Sequence, residues 1–145
     1  MEDLHIRKLE KEEYKILIDI WQKAGLPYRP QGRDSREKIL LEMNNPQSAF
    51  LAAVLGNDAI AVVLVTHDGR KGWINRLAVL PEFRNRGIAS QLLQKAENLL
   101  REAGIGIFAC LIEDWNKESM EFFSQKGYLK HEDIKYFTKR DYPEV

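Results

Sequence analysis

The sequence predicts an α/β chain of the α+β type: a mixed, mostly antiparallel sheet of six to seven strands flanked by about four helices. Three observations predict it. Apolar runs rich in Ala, Val, Leu and Ile follow one another at 49–55, 59–67 and 73–79, separated only by the turn signals Gly56-Asn57-Asp58 and Asp68-Gly69. Strands joined by such short turns pair antiparallel. After Pro81, Ala89, Leu92, Leu93, Ala96, Leu99, Leu100 and Ala103 recur at helical spacing, the mark of an amphipathic helix. That helix stands between the run at 73–79 and another at 107–112, and the two strands of such a β-α-β unit run parallel.

The elements follow in order. Residues 5–8 read as a first strand, and 11–24 as a helix with Tyr14, Leu17, Ile18 and Trp21 on one stripe, stopped by Gly25. The next stretch, 25–32, holds two prolines and two glycines and reads as a loop. Asp34 with Glu37 three residues on has the form of a capping box for a second helix over 35–43. The three-strand meander comes next, then the long helix with Gly104 as its stop and Glu97 paired with Arg101 on its outer face. A strand at 107–112, a helix at 116–126 and closing strands at 129–132 and 136–139 complete the chain. No internal repeat, low-complexity tract or interdomain linker interrupts this order.

At 145 residues and 44% hydrophobic content, the chain can bury about two thirds of its unfolded surface around one core, so residues 1–145 are expected to form a single domain. Lys plus Arg and Asp plus Glu balance at 22 each, which leaves no global field to draw it onto nucleic acid or an anionic membrane. Gly56-Asn57-Asp58 divides the most apolar stretch into pieces too short for a bilayer. The acidic start Met1-Glu2-Asp3 carries no signal-like apolar run, so a cytoplasmic protein is expected, as a monomer or homodimer. Cys110 is the only cysteine, and His5, His67 and His131 share no ligand spacing. No metal site and no histidine-based triad is therefore expected. Gly104-Ile105-Gly106-Ile107-Phe108-Ala109 matches a dinucleotide fingerprint by letter, but it leaves a helix and enters a strand, the reverse of the required order.

The chemical signal lies between the strand at 73–79 and the long helix, in Arg84-Asn85-Arg86-Gly87-Ile88-Ala89-Ser90. A helix N-terminus presents unpaired N–H groups and the positive end of its dipole, which suit a phosphate. Gly87 permits close backbone approach, Ala89 keeps the first turn narrow, and Arg84 and Arg86 add positive charge beside those amides.

In that register Arg84, Gly87 and Ala89 fit Gln/Arg-x-x-Gly-x-Gly/Ala, and the segment resembles the signature of the GNAT superfamily of N-acetyltransferases. Upstream, 75–83 resembles the strand and loop that lead into the signature. Downstream, Asn116 and the helix ending Lys126-Gly127-Tyr128 resemble the family's second block. The resemblance implies a sheet splayed between strands four and five, with the pantetheine arm of acetyl-CoA in the gap. Main-chain groups around Leu77 and Val79 would hold that arm, the amides of Arg86, Gly87, Ile88, Ala89 and Ser90 the pyrophosphate, and Asn116 the thioester end. The same resemblance assigns the acceptor side to the early loop, 26–33, together with the last hairpin.

Acetyl transfer to a primary amine, on a small molecule or a protein, needs a group to take the amine proton, since such amines are mostly protonated at neutral pH. Glu113, with Asp114 beside it, is the candidate at the end of the fifth strand, while Glu82 precedes the phosphate loop and lies far from the thioester end. The departing thiolate needs a proton in turn. Many GNAT enzymes supply it from a tyrosine in the second block, where this chain has Phe123, so Tyr128, Tyr136 or water must serve, with Tyr128 the named candidate. The missing tyrosine also keeps open a non-catalytic acyl-CoA-binding or sensing module of the same fold.

Overall fold

The uninterrupted apolar runs at 49–55 and 59–65 leave no polar face, and the fold covers both sides of them. The computed structural model describes residues 3–145. In it β1 (Leu4–Lys8), β2 (Ser48–Leu55), β3 (Asp58–His67), β4 (Gly72–Val79) and β5 (Phe108–Ala109) form one sheet in sequence order. Side chains alternate across a strand, so Phe50, Ala52 and Val54 of β2 face one layer and Ala49, Leu51 and Ala53 the other. The first layer is α1 (Tyr14–Ala24) and α2 (Arg36–Asn44), which bury Leu17, Ile20, Trp21, Ile39 and Met43. The second is α3 (Ile88–Glu102), with Ile88, Leu92, Leu93, Ala96 and Leu100 inward, joined by Phe123 of α4 (Lys117–Gln125).

Pairing is antiparallel from β1 to β4 and parallel between β4 and β5, the mixed, mostly antiparallel sheet expected. The crossover helix α3 packs close on β4 because Gly72 has no side chain. A Cβ there would lie 2.6 Å from Leu100 Cδ1.

The sheet has five strands among the described residues, fewer than the six to seven expected. Only Phe108 and Ala109 of the run 107–112 pair with β4, because the two strands part beyond Trp73 and Ala109. A two-residue strand offers too short a ladder for further neighbours. Accordingly 129–132 and 136–139 are not strands, and Leu129 and Phe137 stand 78% and 88% exposed. The cap of α2 also differs by one residue. Ser35 Oγ accepts the Lys38 N–H, while Asp34 is buried and turned toward Arg29 and Arg76.

Candidate active site

The parting of β4 from β5 is built in three steps. Gly72 and Trp73 pair with Phe108 and Ala109, and the Gly72 N–H donates to Ile107 O at 3.0 Å. Next, the Leu111 N–H donates to the side-chain Oδ1 of Asn75 at 3.0 Å, so a side chain takes the place of the next rung. Finally β4 bulges: Asn75 stands opposite Leu64 and Ala78 opposite Val62, leaving Arg76 and Leu77 against Val63 alone. Arg76 has φ 59, a left-handed conformation rare for a side chain of its size. Bulges leave the extra residue unpaired and re-aim the strand, so the ladder with β3 is interrupted at Arg76 and Leu77.

Beyond Val79 a turn at Pro81–Phe83 leads into Arg84-Asn85-Arg86-Gly87. Asn85 and Gly87 both have positive φ, at 62 and 77, which winds the backbone into the start of α3. Asn and Gly are the residues that adopt this conformation most readily. No side chain caps α3, whereas Ser35 caps α2 and Asn116 caps α4 through their side-chain oxygens. The first amides of α3 therefore face outward with the helix dipole behind them, an arrangement suited to an anion. A Cβ at Gly87 would meet nothing within 4 Å, so the backbone leading into α3 is open on that side.

The arginines divide. Arg86 lies over the Phe83 ring, 5.3 Å from its centre, at the surface beside the cradle. Arg84 turns back instead: Nε donates to Val79 O at 3.1 Å and Nη2 to Ala24 O, at the last residue of α1, at 3.2 Å. Leu77, Val79, Asn85, Gly87, Ile88, Ala89 and Ser90 thus follow one continuous path from the bulge to the head of α3.

Across the parting, Glu113 and Asp114 are exposed in the segment between β5 and α4, and Glu113 O accepts the Asn116 N–H at 2.9 Å. Asn116 Oδ1 accepts from the Ser119 N–H at 3.1 Å, leaving its amide NH2 free for another partner. Phe123 is 6% exposed and packs edge-on against Phe122 and Tyr128, at 5.2 and 5.1 Å between ring centres. The Tyr128 hydroxyl donates to Glu97 Oε2 on α3 at 2.7 Å. Burial, then this bond to a carboxylate, push its pKa well above the usual phenol range. Cys110, just past β5, is half-buried, and burial pushes its thiol up to about 11, which disfavours the nucleophilic thiolate.

Sequence reasoning did not single out Asn75 and Arg76. Their signal was two adjacent polar residues interrupting an otherwise apolar strand. Burial lowers the pKa of Arg76, and Asp34 partly opposes that effect.

A profile described as the acetyltransferase (GNAT) family matches residues 6–128. The chain belongs to the GNAT family. The family match runs from β1 through Tyr128, so it includes the bulged strand, the uncapped helix and the block headed by Asn116. Among solved structures, the chain is similar to PaiA N-acetyltransferase from Thermoplasma acidophilum in complex with coenzyme A. Identity is 24%, coverage is 92% of this chain and 93% of that one, and the TM-score is 0.78. It is similar to aminoglycoside N-acetyltransferase AAC(6')-Iy in complex with CoA at 20% identity, with 97% of each chain covered and a TM-score of 0.80. Ard1 from Thermoplasma volcanium is 18% identical over 87% of this chain and 82% of that one, at a TM-score of 0.76. At these identities the likeness establishes the GNAT fold. No group of His, Cys, Asp or Glu able to hold a metal occurs among the described residues, and none of their helices is long and apolar enough to cross a membrane.

Proposed function

We propose that this GNAT protein transfers the acetyl group of acetyl-CoA to a primary amine by direct attack in a ternary complex. The observation that carries the proposal is the uncapped head of α3, joined by one continuous backbone path to the bulge where β4 leaves β5. In this reading the amides of Arg86, Gly87, Ile88, Ala89 and Ser90 hold the pyrophosphate, and main-chain groups of Leu77 and Val79 hold the pantetheine arm. Arg86 adds charge directly. Arg84 and Asn85 act through the loop's shape, Arg84 by gripping Val79 O and Asn85 by its left-handed backbone. Asn116 contacts the thioester end through its amide NH2 while its oxygen caps α4. The likeness to structures solved with coenzyme A supports the assignment.

The thioester supplies an activated acyl carbon. As the amine nitrogen bonds to that carbon, negative charge builds on the acyl oxygen, where a Leu77 amide would stabilise it. The carbon–oxygen double bond then re-forms as the carbon–sulfur bond breaks, and the charge leaves on the coenzyme A thiolate. Glu113 would take the amine proton directly or through water. The thiolate then takes a proton. Tyr128 was the candidate donor, but its hydroxyl is committed to Glu97 and its pKa is raised, so we assign Tyr128 to holding α3 and α4 together and the last proton to water. The acceptor is an amine of a small molecule or a protein. A relative solved with a CoA–acetylneamine bisubstrate analogue supports the small-molecule class.

The same commitment of Tyr128, with Phe123 at the usual tyrosine place, favours one second reading: a module that binds acyl-CoA without turning it over. Thiol release from acetyl-CoA, measured across a panel of aminoglycosides, polyamines, amino acids and peptides, separates the two. Amine-dependent release supports the enzyme, whereas tight coenzyme A binding with no release above hydrolysis by any amine supports the module.

A further inference from the structure

Two arginines from the cofactor side reach back to the same short stretch of chain. Arg84 Nη2 donates to Ala24 O at 3.2 Å, and Arg76 Nη2 donates to Pro27 O at 3.0 Å. These carbonyls bracket the start of the 25–34 loop. That loop closes on itself: the Asp34 N–H donates to Arg29 O at 3.0 Å, and the Arg29 N–H donates to Asp34 Oδ2 at 2.8 Å. Asp34 is only 8% exposed, and the same Oδ2 faces Arg76 Nη2 at 3.6 Å. The Arg76 guanidinium also lies over the Trp21 ring, 4.2 Å from its centre, while its Nε is buried without a partner. A planar guanidinium that is stacked on one face and shared between a carbonyl and a carboxylate has almost no freedom left. Yet this residue is the left-handed member of the β4 bulge, next to Leu77.

We infer that Arg76 is a positioning residue that couples the 25–34 loop to the cofactor strand, so that the loop and the bulge beside Leu77 set one another's geometry. The inference rests on the proposed binding of coenzyme A along Leu77 and Val79. A ligand that fixes the bulge then fixes the Arg76 side chain, and with it Pro27 and Asp34. Coupling of this kind is reciprocal, so an acceptor held by the loop tightens the cofactor in turn.

Hydrogen exchange on the intact protein, with and without coenzyme A, reads the coupling without knowledge of the acceptor. The loop amides of Arg29, Gly32 and Asp34 are the reporters, since each is hydrogen-bonded within the loop. Coenzyme A is expected to slow their exchange by about fivefold or more, the lower end of ordinary site-to-site coupling. In Arg76→Lys, which keeps the charge but loses the planar fork and stack, coenzyme A should still bind by calorimetry while the slowing largely disappears. Asp34→Asn weakens the same link from the loop side, should act in the same direction, and serves if Arg76→Lys does not fold. Undiminished slowing in a folded variant that binds coenzyme A overturns the coupling and leaves the site assignment standing. Failure of the wild-type protein to bind coenzyme A overturns both.

Discussion

Gly87 carries two burdens that a substitution can separate. Its left-handed backbone makes any side chain cost about 1–2 kcal/mol, but the space beside it is open, so no clash adds to that cost. Gly87→Glu should therefore fold with that modest loss while its carboxylate occupies the anion cradle. Calorimetry should find coenzyme A binding abolished, and wild-type affinity in the folded variant would remove the cradle from the head of α3. Tyr128 gives a second test at this scale. The folded protein holds the phenolic proton more tightly than the unfolded chain, whose value lies near the ordinary 10.0. The group's contribution to stability is thus full below pH 10 and declines as pH rises above it. Urea midpoints measured at about pH 8 and about pH 10.5 should fall more for the wild type than for Tyr128→Phe, and equal falls would mean that the phenol is not held as described.

At the scale of elements, α4 shows how one side chain can serve a helix and a ligand together. Asn116→Ala should cost about 1 kcal/mol through the lost cap, whereas Asn116→Asp keeps the cap oxygen and adds charge that suits a helix N-terminus. Both should weaken coenzyme A if the amide NH2 touches it. Wild-type affinity in Asn116→Asp would reduce Asn116 to a cap. Local pattern made α3, α4 and the three-strand meander legible in the sequence, and it also pointed to the head of α3 as the proposed anion site, because Asn85, Gly87 and the helix start are neighbours in the chain. What stayed hidden depends on distant partners. The apolar run at 107–112 says that the residues pack, but not that β4 leaves them after Ala109. Without that knowledge the apolar residues of 129–139 read as strands. The destinations of Arg76 and Arg84 were equally hidden, since Pro27 and Ala24 lie 49 and 60 residues away. Arg84, read in the sequence as a phosphate partner, turned out to face two carbonyls.

For the molecule as a whole, the sheet divides the interior into two layers, one on each of its faces. The α1–α2 layer carries the loop at 25–34, and the α3–α4 layer carries the uncapped helix head proposed to hold the phosphates. In the proposed reaction, substrates approaching from the two sides would meet where the sheet is interrupted, and the Asn75 contact lies at that place. By taking the Leu111 N–H, Asn75 acts as the stop on a zip: the ladder closes up to it and no further. Asn75→Leu removes the stop at a cost of about 0.5–1.5 kcal/mol for the lost hydrogen bond. Coenzyme A affinity should then fall by about tenfold or more, over 1.4 kcal/mol, while urea unfolding shifts only modestly. An unchanged affinity would mean that the opening is propped elsewhere. If Asn75 is the stop, the aperture of this protein is adjustable in steps of one side chain, and enlarging or shrinking residue 75 becomes a means of choosing how bulky an acyl group the gap admits.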